Sequence, residues 1–94
     1  MRFNTLTEKL NDEDYFNNLC ERRQRELIFC SKLLNEDEMN TYSSISVAYN
    51  VARHRFIEEY LPEINIGLYE KIKEGNKVPI FNLDKMIDDI KANT

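Results

Sequence analysis

Two glycines and two prolines in 94 residues leave this chain few ordinary places to turn. A sandwich or barrel needs a turn about every 8–12 residues, so the scarcity favours long helices. The length allows one domain, residues 1–94, with a modest core. The expected class is all-α.

Helix starts are marked by capping residues. Thr5-Leu6-Thr7-Glu8 has the capping-box pattern and opens a short helix to Leu10, with Phe3, Leu6 and Leu10 on one side. Asn11 reads as the cap of a long helix to about Leu34, with Asp12, Glu13 and Asp14 where the macrodipole favours acids. Asn35, with Glu38 three residues on, caps a second long helix to about Tyr60, ahead of Pro62. Ser43, Ser44 and Ser46 weaken that helix and mark Asn40–Ser44 as a place for a break or tight turn. Ile64, Leu68 and Ile72, four apart, give a short helix ending at Gly75-Asn76, and Lys77-Val78-Pro79-Ile80 reads as extended. Asn82 caps the last helix, with Phe81 and Met86 as a hydrophobic staple and Leu83, Met86, Ile87 and Ile90 as its apolar stripe.

A turn at Asn35 folds the two long helices into an antiparallel helical hairpin, with short flanking N- and C-terminal helices. Residues equally far from the turn then face each other: Arg23 against Ser46, Val47 and Tyr49, and Phe16 against Ala52 to Phe56. The first long helix also carries Tyr15, Ile28, Phe29 and Leu33 off its main stripe, so it needs cover on more than one face. A terminal helix supplies one cover. A second copy of the chain supplies the other, which implies a homo-oligomer, a dimer or larger.

Arg23 is the awkward residue in this scheme. At about 100° per residue, positions 16, 19, 20, 23, 27, 30 and 34 share one face, which puts Arg23 among Leu19, Cys20, Leu27, Cys30 and Leu34. A guanidinium keeps its charge and must find acceptors or water. One reading is that its stem packs on the stripe while its head reaches Glu26 or Glu38. The other is a ligand site in which Arg23, Tyr49 and Arg53 hold a nucleotide or other phosphate-bearing anion, with Tyr49 stacking on a base or guanidinium.

Other chemistry has little footing. The net charge of −4 makes a nucleic-acid partner unlikely, and Arg53 and Arg55 point about 160° apart around their helix. His54 is the sole histidine, so neither a zinc site nor a catalytic triad is expected, and no metal or cofactor is implied. Cys20 and Cys30, ten apart on one stripe, read as buried reduced thiols. The acidic clusters lack the calcium-loop pattern, and those at 12–14 and 36–38 are explained by capping. No run is apolar enough to cross a membrane, and Met1 to Leu10 lacks a secretory signal.

Leu34-Asn35-Glu36-Asp37-Glu38-Met39 and Ala48–Arg55 resemble pieces of the small enterobacterial nucleoid-modulating proteins of the Hha/YmoA type. The spacing between the two pieces matches only with a sizeable insertion, and the functional reading does not rest on it. The expected protein is a small acidic cytoplasmic binding protein and not an enzyme. It acts by protein–protein interaction through Tyr42, Tyr60 and Tyr69 and its acidic edge, as an inhibitor or accessory factor of phage or mobile-element type. The alternative is the oligomeric anion-sequestering protein built on Arg23, Tyr49 and Arg53.

Overall fold

A computed structural model describes residues 5–75 and 82–92, and every regular element among them is a helix. In chain order these are α1 (Leu6–Asn11), α2 (Glu13–Asn18), α3 (Glu21–Leu33), α4 (Glu36–Thr41), α5 (Ile45–Glu59), α6 (Leu61–Ile64), α7 (Ile66–Lys73) and α8 (Leu83–Ala92). The all-α class stands. Phe3, the extended 77–80 segment and the Phe81 staple lie outside the described residues.

Most helix starts are made by capping side chains, with Pro62 in the first turn of α6 and Gly75 at positive φ just after α7. Thr5, Asp12, Asn35, Ser44, Asn65 and Asn82 each accept an amide N–H from the first turn of the helix they open. Such caps stabilise by about 1 kcal/mol each and let a chain start a helix wherever one falls. Asn35 and Glu38 complete a full capping box at the start of α4. Few glycines therefore did not mean few turns.

Both expected long helices are broken. The first stops at Leu19–Cys20, whose backbone is extended. Gln24 stabilises this break by donating to the Phe16 carbonyl at 2.8 Å, and Asn18 turns its side chain back on the Asp14 carbonyl at 2.8 Å. The second stops at Tyr42, and Ser44 opens α5 two residues later. There α1 closes the gap, with its Leu6 amide donating to the Tyr42 carbonyl at 2.8 Å and Lys9 to the Ser43 carbonyl.

The second break overturns the antiparallel hairpin. Arg23 meets Ser46 and Arg22 meets Tyr49, all in the N-terminal parts of α3 and α5. At the other end Arg55 donates to the Leu33 carbonyl at 2.8 Å. The two main helices therefore run in the same direction, with the segment through α4 carrying the chain back between them.

Phe29 organises the pairing. It is fully buried, with its ring centroid 5.7 Å from Tyr49 and 6.0 Å from Phe56. Ala48 and Ala52, also fully buried on α5, keep that helix slim where α3 lies against it. On its other side α3 packs on α8, which contributes Leu83, Met86, Ile87 and Ile90 to the same core. Phe16 lies towards α8, sharing a groove with Ile28 and Ile87, and not against Ala52 to Phe56. Both faces of α3 are covered within the chain, so the need that suggested a second copy is met internally.

Arg55 closes the far end. Its guanidinium donates to both Glu38 oxygens, at 2.7 and 2.9 Å, and so ties α3, α4 and α5 together. That bond, with the Asn35 amide, holds the Glu38 carboxyl at about 2 against its ordinary 4.5. A carboxyl depressed in the folded state contributes stability that is full above about pH 4.5 and is lost as pH falls towards 2. Glu38→Gln should cost about 1–2 kcal/mol at pH 7, after allowance for its partial exposure, and flatten this part of the acid limb in urea titrations. An unchanged acid limb would contradict the assignment.

Candidate anion-binding face

The first turn of α3 carries Glu21, Arg22 and Arg23. Cations at a helix N-terminus oppose the macrodipole and need local compensation. One turn on, Glu26 supplies it. Its side chain is only 8% exposed, and it accepts from Arg23 at 2.8 Å and from Arg22 Nε at 3.3 Å. Arg23 does lean towards α5, as the helical wheel suggests. It sits at the open end of the α3–α5 seam, however, so its head stays exposed. The break at Leu19–Cys20 moved it there by making it a first-turn residue instead of a mid-helix one.

Across the seam, α5 contributes Ser46, Tyr49 and Arg53, spaced three and four apart and hence on one face. Ser46 Oγ accepts from Arg23 at 2.9 Å. The Arg22 guanidinium lies over the Tyr49 ring, 5.8 Å from its centroid. Burial pushes the Tyr49 phenol up, while Arg22 and then Arg53 pull it down; Arg53 follows Tyr49 by one helical turn. Arg53 itself has a buried Nε with no hydrogen-bond partner, and no ion pair among the described residues engages it. Buried N–H groups are nearly always satisfied, so an orphan of this kind calls for an explanation.

Tyr49 and Arg53 lie on the face of α5 that also carries Ser46, and Ser46 is the residue that Arg23 reaches from α3. Arg22 and Glu26 complete the group. The i, i+3 and i, i+4 spacing of Glu26 from Arg23 and Arg22 marks it as their partner, but its burial follows only from packing on α5. Three guanidiniums stand against one carboxylate, leaving two positive charges uncompensated in a chain that is acidic overall. Glu38, the other partner considered for Arg23, belongs to Arg55. Glu58 pairs with Lys73 and receives the Tyr69 hydroxyl, so it does not serve Arg53.

The remaining candidates each touch the fold. Tyr42 is half-buried at the end of α4 and packs on the core. Tyr60 stacks on Phe56, with centroids 6.0 Å apart and planes inclined by 9°. Tyr69 donates to Glu58 at 3.2 Å, with Lys73 over its ring. The exposed large apolar side chains are instead Val47, next to Ser46, and Ile66, each 53% exposed. Cys20 corrects a further expectation: it is exposed at the start of α3 and not buried. Cys30 is buried, and desolvation pushes its thiol up to about 12.

An open groove of about 590 Å³ lies between α3 and α8. The 2.8 Å Arg25–Asp84 pair crosses it, so its charges are matched internally. Among the described residues no three histidine, cysteine or acidic side chains are grouped to hold a metal ion. None of their helices is long and apolar enough to cross a membrane. No family model, curated protein or solved structure matches the chain.

Removing Glu26 or Arg53 should have opposite consequences. Glu26→Gln leaves Arg22 and Arg23 facing each other uncompensated and should cost about 1–2 kcal/mol. Arg53→Met removes an unsatisfied buried donor and should leave stability within about 0.5 kcal/mol or raise it. Urea denaturation of both variants checks this, and a large loss for Arg53→Met would show that Arg53 is structural.

Proposed function

We propose that the protein works by binding and not by catalysis, and that the α3–α5 face takes an anionic group presented by a partner protein. The carrying observation is Arg53, a guanidinium held partly buried one turn after Tyr49 with its Nε unsatisfied. A side chain that contributes no bond to its own fold, yet sits among fixed donors, is suited to an external acceptor. Glu26 pre-positions Arg22 and Arg23, which lowers the ordering cost of engaging a ligand. Val47 gives the face an apolar edge that a partner would cover. The buried Cys30 thiol, pushed up to about 12, is inert as a nucleophile. Action as a cytoplasmic accessory or inhibitory factor is the role this reading assigns.

A tyrosine-lined protein surface is the competing reading; Tyr60 and Tyr69 also serve internal contacts, and Tyr42 packs on the core. Capture from native lysate with immobilised protein tests the choice. A partner held by the wild type should be lost with Arg53→Gln, retained with Tyr69→Phe, and released by added salt. A partner that ignores Arg53→Gln but is lost with Tyr69→Phe would overturn the proposal.

A further inference from the structure

The charge and donor pattern of this face selects among anions. We propose that the α3–α5 face is a phosphomonoester site, taking the dianion between Arg23 of α3 and Arg53 of α5, with Arg22 held over Tyr49. The inference rests on the anion-binding reading above and narrows it to one chemical class.

Three features lead there. First, the uncompensated charge is that of two guanidiniums, since Glu26 neutralises one of the three. A carboxylate ligand would neutralise only one more, whereas a phosphomonoester carries about −1.5 to −2 at neutral pH and matches both. Second, the donors come from two helices. Glu26 and Ser46 occupy Arg23 Nη1, and the described residues engage neither its Nε nor its Nη2. Arg53 adds a guanidinium from α5 that no hydrogen bond among the described residues engages; its Nε is buried, so its terminal nitrogens are the ones that would meet the anion. Three terminal phosphoryl oxygens accept from forks on two sides at once, which a planar carboxylate does less well. Third, the direction of α3 against α5 creates the pairing. Had the helices run antiparallel about the Phe29 contact, the first turn of α3 would face the end of α5, where Arg55 is already held by Glu38.

The same geometry disfavours recognition of a nucleobase. One face of Tyr49 is under Arg22, and its ring also packs at 5.7 Å on Phe29, so stacking a base would require displacing one of them. The phosphoryl group is the element recognised. The phenol stays protonated because burial raises it, and it adds no negative charge beside the anion.

Titration of the full-length protein by calorimetry at pH 7.5, low salt, distinguishes the outcomes. The probes are phenyl phosphate, phenyl sulfate (similar in shape but a monoanion), inorganic phosphate and glutarate. Phenyl phosphate should bind about tenfold or more tightly than phenyl sulfate, and Arg53→Gln and Arg23→Gln should each weaken it about tenfold. Arg53→Lys should recover part of the affinity but not the bidentate share. Inorganic phosphate binding as tightly as phenyl phosphate would support the site and make free phosphate its source. Equal binding of phenyl sulfate or glutarate, lost in Arg53→Gln, would overturn phosphate selectivity while leaving the anion-binding face intact. No binding of any probe would overturn the inference, and partner capture with Arg53→Gln then judges the broader reading separately. Unchanged affinity in a folded Arg53→Gln would overturn both.

Discussion

Phe29 packed against Tyr49 and Phe56 is the contact on which the rest of the molecule depends. It fixes α3 beside α5, and with the Arg55–Leu33 bond it fixes their common direction. Truncating a fully buried phenylalanine of this kind to alanine costs about 3–5 kcal/mol, more than the loss of any one of the surface ion pairs. Once α3 and α5 are parallel, the first turn of α3 must lie beside the first turns of α5. Arg22, Arg23 and Glu26 are then brought against Ser46, Tyr49 and Arg53. The candidate site is a consequence of how the core packs.

Two arginines on α5 show how the fold divides its charges. Arg53 and Arg55 point to opposite sides of the helix, as their spacing requires. Arg55 reaches the Leu33 carbonyl and both oxygens of Glu38, and so joins three helices. Arg53, one turn after Tyr49, finds no acceptor for its Nε. One guanidinium holds the architecture together. The other is left available, and a protein with a net charge of −4 thereby carries a locally basic face.

Much of the local structure is legible in the sequence because capping is local chemistry. Thr5, Asn35 and Asn82 mark helix starts by residue type and spacing alone, and the break before Ile45 is visible as a loss of helix propensity, whereas α2 is capped by Asp12 and not by Asn11. Helix length is not legible in the same way. Scarce glycine and proline suggest long rods, but caps open most of the helices without them, and the break at Leu19–Cys20 depends on Gln24 reaching back to Phe16. The direction of α3 against α5 is a tertiary fact with no local signature. Arg23 shows the difference well. Its neighbour Ser46 was expected from a hairpin that does not exist, and the contact arises because the segment through α4 returns the chain to the start of α3. The partnership of Glu26 with Arg22 and Arg23 is written in their spacing. The role of Arg53 emerges only when Tyr49 and Arg22 are set beside it.

The central claim is that Arg53 is held ready for an external anion and that Arg55 is not. Nitrogen-15 spectra of the arginine side chains test it residue by residue as phenyl phosphate is added. The account predicts that the Nε–H signals of Arg53 and Arg23 shift together and saturably while that of Arg55 stays in place. Movement of all arginines in proportion to added salt, or a stationary Arg53 signal, would contradict it.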